Sequence, residues 1–141
     1  MRISARNILQ GTVEAVAEGA VNGIVTIKVG ENRIKANITM ASIKELGLAE
    51  GAKACAIVKA SHVMFAAGSE PVAGISARNQ LVGTVSAVTE GAVNGHVALE
   101  LADGSKIVGS ITNEAIESLG LKEGAQAVAI VKSTDVIVGV E

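Results

Sequence analysis

The pentapeptide Ile-Ser-Ala-Arg-Asn occurs at residues 3–7 and again, letter for letter, at residues 75–79. The repetition extends well beyond it. Superposing Ser4 on Ser76 carries Gly11 onto Gly83 and Asn22 onto Asn94 at a constant offset of 72. One extra residue in the turn Ala102-Asp103-Gly104-Ser105 raises the offset to 73, which takes Thr39 to Thr112, Gly47 to Gly120 and Lys59 to Lys132. Self-similarity at a fixed period constrains a chain to one small unit built twice. The expected division is residues 2–67, a short linker at 68–73 that holds the only proline, Pro71, and residues 74–141.

A unit of about 65 residues buries only roughly 60% of the surface that its unfolded chain exposes. Such units need a further source of stability, and Cys55, the single cysteine, excludes an intrachain disulfide. Assembly into an oligomer is the expected solution. Phe65 is the only aromatic residue although 49% of residues are hydrophobic, so Val, Ile, Leu and Ala must build the core. Cys55 lies in the apolar run Ala54 to Val58, opposite Val128 in the second copy, and reads as a small buried hydrophobe. The net charge of −2 divides unevenly: residues 1–68 carry 8 Lys/Arg and 5 Asp/Glu, residues 69–141 carry 4 and 9. No basic stripe suited to a phosphate backbone results. The N-terminus has no apolar segment before a cleavage site, and no stretch is long enough to span a bilayer, so a cytoplasmic protein without membrane contact is expected.

Within each copy apolar residues alternate as in half-buried strands: Val25, Ile27 and Val29, then Val97, Leu99 and Leu101. A preceding strand, from Gly11 to Glu18 or Gly83 to Glu90, joins this one through Gly-Ala-Val-Asn-Gly as a hairpin. Further strands are predicted at 33–38 and 54–59, and at 106–111 and 127–132. Between them Thr39 and Thr112 can cap a short helix that ends at Gly47 or Gly120, with Ile43 and Leu46, or Ile116 and Leu119, on one face. The expected fold is mainly β: two tandem OB-like β-barrels, each with one short helix.

A site used by both copies should survive in both. His62 becomes Asp135 and His96 matches Ile24, so neither histidine passes this filter, and a metal site or histidine-based catalysis is not expected. The repeated polar set is Ser4-Ala5-Arg6-Asn7, Glu18 to Gly23, Thr39 and Val58-Lys59, with Ser61 replaced by Thr134. These are chiefly donors: hydroxyls, amides, one ammonium, one guanidinium and accessible backbone N–H groups. Such a set holds a tetrahedral oxyanion and does not transform it, because no repeated acid stands beside a nucleophile. Each member also has a structural reading. Thr39 and Thr112 serve as helix caps, Gly-Ala-Val-Asn-Gly serves hairpin geometry, Lys59 and Lys132 are exposed strand ends, and Arg6 and Arg78 pair with Glu18 and Glu90 at a subunit interface.

The ordered motifs Ser-Ala-Arg-Asn, Gly-Thr-Val, Glu-Gly-Ala-Val-Asn, Ile-Thr, Leu-Gly-Leu, Glu-Gly and Val-Lys-Ala-Ser resemble the molybdate-binding Mop domain. Two in tandem are similar to the di-Mop molbindins. The resemblance implies OB-like domains in a cytoplasmic homotrimer that binds molybdate, or its analogue tungstate, at domain interfaces for storage and homeostasis, without enzymatic chemistry or an organic cofactor. It implies oxyanion contacts from Ser4, Ala5, Arg6, Asn7, Ala20, Val21, Asn22, Thr39, Lys59, Ala60 and Ser61. The second copy offers Ser76, Ala77, Arg78, Asn79, Ala92, Val93, Asn94, Thr112, Lys132, Ser133 and Thr134. Ser133-Thr134 in place of Ala60-Ser61 leaves open whether the copies bind equally. No DNA-reading helix and no phosphate-binding Gly-x-x-x-x-Gly-Lys loop accompanies the two copies. The competing readings are a structural or protein-interaction module without an oxyanion ligand, and an OB-fold single-strand nucleic-acid binder. The second lacks the stacking aromatics and basic groove that it needs.

Overall fold

The computed structural model describes residues 1–141. The first copy supplies β1 (Asn7–Ala17), β2 (Asn22–Val29), β3 (Asn32–Thr39), α1 (Met40–Glu45), β4 (Lys53–Val58) and β5 (Met64–Ala67). The second supplies β6 (Asn79–Glu90), β7 (Asn94–Leu101), β8 (Lys106–Thr112), α2 (Asn113–Ser118), β9 (Gln126–Val131) and β10 (Ile137–Gly139). Alternation sets the inner faces: Val25, Ile27 and Val29 of β2, and Val97, Leu99 and Leu101 of β7, are all buried. The strands are longer than their apolar pattern, since β1 and β6 begin at buried Asn7 and Asn79.

All pairs are antiparallel, and the order along the two sheets is β10-β4-β1-β2-β3 and β5-β9-β6-β7-β8. Each sheet therefore ends on a strand lent by the other copy: Ile137, Val138 and Gly139 lie against Ile57, Ala56 and Cys55, while Met64 to Ala67 lie against Ile130 to Ala127. The sheets are curled half-barrels that share one interior, a single cluster of 27 buried residues drawn from both copies. Register shifts between Val13 and Ala15, and between Val85 and Ala87, mark the bulges that bend β1 and β6.

The exchange accounts for the lone aromatic. Phe65 on β5 and Val138 on β10 occupy equivalent positions, opposite Ala129 and Ala56. Beneath Phe65 lies Gly109, whose counterpart in the first copy is Ala36. A Cβ at Gly109 would meet the Phe65 ring, 2.7 Å from its Cζ. A large residue over a small one in one sheet replaces two of intermediate size in the other.

The two helices have six residues each. Each is held by burial of one isoleucine, Ile43 or Ile116, both 3% exposed, worth about 1.5–3 kcal/mol. Leu46 and Leu119 follow, and the chain then turns at Gly47 (φ 63°) and Gly120 (φ 65°), conformations that favour glycine.

Candidate functional site

After β4 and β9 the chain makes a single 3₁₀ turn, Ala60–His62 or Ser133–Asp135. Beside each turn the Ile-Ser-Ala loop of the same copy closes a hollow. The first, about 310 Å³, is lined by Ile3, Ser4, Ala5, Ile57 and Lys59, with His62 and, from the second copy, Thr134, Asp135 and Ile137. The second, about 380 Å³, is lined by Ile75, Ser76, Ala77, Ile130, Lys132, Ser133 and Thr134, with Met64 from the first copy. A loop serine and alanine, one lysine and Thr134 thus line both hollows among apolar residues. Ala60 and Ser61 sit on the first turn without lining the first hollow, and Arg6 and Arg78 are exposed and line neither.

The remaining repeated donors form a separate cluster at the far end of β1 or β6. Asn22 pairs with Thr39 across β2 and β3, and Asn94 pairs with Thr112 across β7 and β8. The backbone carbonyl of Val21 accepts from the N–H of Met40 at 2.8 Å, as that of Val93 does from Asn113. Thr39 Oγ1 accepts from the Ser42 N–H at 3.1 Å, and Thr112 Oγ1 accepts from that of Ala115 at 3.1 Å, so both threonines cap their own helices. Ala20, Val21 and Asn22, like Ala92, Val93 and Asn94, are exposed on the hairpins, with Val21 at 73% and Val93 at 70%. Thr39 lines a third hollow with Ser42 and, from the second copy, Thr134, Val136 and Ile137.

The side chains of Asn7 and Asn79 are engaged within the fold. They are 2% and 1% exposed, and both ends of each amide are occupied. Asn7 Nδ2 donates to the carbonyls of Val58 (3.1 Å) and Val108 (2.8 Å), and Asn7 Oδ1 accepts from the Val108 N–H at 2.7 Å. Asn79 makes the matching two-way bond with Lys35 of β3, at 2.7 and 2.8 Å. Their side chains tie each sheet to the edge strand of the other and are buried in doing so. The pairing of Arg6 with Glu18 and of Arg78 with Glu90 is not formed within the chain; the side-chain ion pair is Glu14 with Arg33, and His62 faces Asp135 as a second acid–base pair.

That last pair was invisible to a filter requiring identity between copies. His62 and Asp135 occupy the same position in the two halves, and their Nδ1 and Oδ1 atoms stand 3.9 Å apart where the two 3₁₀ turns meet. The signal was the equivalence itself, since two copies that exchange edge strands reciprocally can bring equivalent positions face to face. No cluster of three His, Cys, Asp or Glu side chains is placed to hold a metal ion, and no helix is long and apolar enough to cross a membrane.

Residues 3–65 and 75–138, one stretch in each copy, match the TOBE-domain model. The chain belongs to the TOBE-domain family, in two tandem copies. It is 43% identical over 138 residues to the molybdenum-pterin-binding protein MopA of Rhodobacter capsulatus, and 41% identical over 141 residues to the molybdenum transport protein ModE of Azotobacter vinelandii. Those matches cover 97% and 99% of this chain but 52% of each relative, so the chain spans about half their length. Its structure is similar to that of the cytoplasmic molybdate-binding protein ModG with molybdate bound, at a TM-score of 0.95 and 45% identity over the whole of both chains.

Proposed function

We propose that this protein binds molybdate, or tungstate as its analogue, reversibly in the cytoplasm, as a store that holds the oxyanion without covalent chemistry. One observation carries the reading. The donors kept in both copies, Ser4, Ala5 and Lys59 and their counterparts Ser76, Ala77 and Lys132, converge on equivalent hollows. They do so in a chain that matches, over its full length, a structure with molybdate bound. A tetrahedral dianion suits hydroxyl and N–H donors backed by one ammonium.

The two donor clusters of each copy lie at opposite ends of a strand of 11 or 12 residues, so one copy cannot wrap an ion with both. A homotrimer that brings the hairpin of one chain to the loop hollow of another would complete the set, with Arg6 and Arg78 free to reach across. The exposed Val21 and Val93, together with Ile3, Ile75, Met64 and Ile137, are apolar surface that such an assembly would cover. Calorimetric titration of oxyanion-free protein with molybdate, in excess sulfate and with light-scattering mass, tests this. The expected result is uptake of more than one ion per chain by a species three times 14.1 kDa, undisturbed by sulfate. A monomer that takes up nothing would overturn it in favour of a purely structural module.

A further inference from the structure

The two loop hollows carry different charges. Each has one lysine, Lys59 or Lys132, but the first is also lined by His62 and Asp135, and the second by no other ionisable side chain. The Asp135 side chain makes no hydrogen bond within the chain, and its contact with His62, at 3.9 Å, is too long for one. With the side chains 45% and 30% exposed, solvent screens this contact, and the formal charges of Lys59 and Asp135 cancel in the first hollow while Lys132 stands alone in the second. A near-neutral hollow and a singly positive hollow cannot attract a dianion equally.

Resting on the oxyanion reading above, we infer that Asp135 makes the two halves unequal: it lowers the affinity of the Ser4–Lys59 hollow for molybdate and leaves the Ser76–Lys132 hollow as the tighter one. A mismatched pair where the copies meet thus splits a duplicated site into a tight class and a loose class within one chain. The protein would then release part of its load at an oxyanion level at which the rest stays bound.

Amide NMR of the intact protein titrated with sodium molybdate reads the hollows separately through Ala5 and Ala77. The Ala77 signal is expected to saturate first, with a midpoint about 3- to 10-fold lower than that of Ala5 at low salt, the gap narrowing as salt is added. Asp135→Asn should move the Ala5 midpoint toward that of Ala77 and leave Ala77 in place, while Asp135→Glu should keep the gap. Coincident midpoints in the natural protein, or a gap untouched by Asp135→Asn, would overturn the inference and spare the oxyanion reading. If neither amide moves with molybdate, both fall.

Discussion

The side-chain amide of Asn7 closes a two-way hydrogen bond with the backbone of Val108, 101 residues further along the chain, and Asn79 does the same with Lys35. Val108 and Lys35 lie on β8 and β3, the strands at the outer ends of the two sheets, whose free N–H and C=O groups would otherwise face a strand-seeking surface. Two buried asparagines thus knit the copies together and shield their edges.

Asn7→Ala should leave both Val108 groups without partners and lower stability by about 2–4 kcal/mol. Asn7→Asp should fare no better, since a carboxylate accepts from the Val108 N–H but donates nothing to its carbonyl. Urea unfolding monitored by circular dichroism gives the midpoint shift; a change below about 0.5 kcal/mol would deny the clamp its structural role.

Gly109→Ala should destabilise by about 1–3 kcal/mol, because its Cβ would press into the Phe65 ring. The same change combined with Phe65→Val, which copies the Ala36 and Val138 arrangement of the other sheet, should cost less than the sum of the two single changes. A double-mutant cycle in thermal unfolding measures the coupling, and strict additivity would mean that the ring does not govern the size of residue 109.

Ending the chain at Val136 should unmask Cys55. That thiol is 3% exposed, and its Sγ lies 3.6 Å from the Gly139 carbonyl on β10. Labelling by a thiol reagent should accelerate roughly tenfold or more in the truncated chain, as its cover is lost. Equal labelling rates would show that β10 does not protect β4.

Arg33, whose Nε is 2.8 Å from a Glu14 carboxylate oxygen, holds the Glu14 carboxyl below the usual carboxylate range, chiefly through this hydrogen bond. A depressed value in the fold means that the pair stabilises above the ordinary glutamate pKa of about 4.3 and loses that contribution as pH falls through the lowered one. Both groups are exposed, so the effect should be small and should fade with salt. Melting curves of Glu14→Gln should converge with those of the natural protein at the acid end of this range; a difference that persists there would point to packing as its source.

Much of this arrangement was legible in the residues. Alternation at Val25, Ile27 and Val29, the capping threonines and Gly47 and Gly120 each act locally, and local signals survive in a sequence. The exchange of β5 and β10 was not legible, because β4 and β9 are near-copies and Met64 to Ala67 would suit either as a partner. A five-residue connection, Lys59 to Val63, decides between them by its direction. The members of the Ser-Ala-Arg-Asn loop divide: Ser4 and Ala5 line the hollow, Arg6 stays outside, and Asn7 turns inward to a partner strand 101 residues away. Only tertiary contact separates neighbours that share a motif.

The last strand has a consequence for synthesis. Chains fold from the N-terminus as they leave the ribosome, yet β4 receives its outer neighbour from Ile137–Gly139, which follow the whole β6–β9 portion of the second copy. The first half must wait with that flank of its sheet uncovered until translation has passed both copies. A nascent chain stopped before Ile137 would keep an open, adhesive edge for chaperones or proteases to recognise, so closure of the first sheet reports that the second copy has been made.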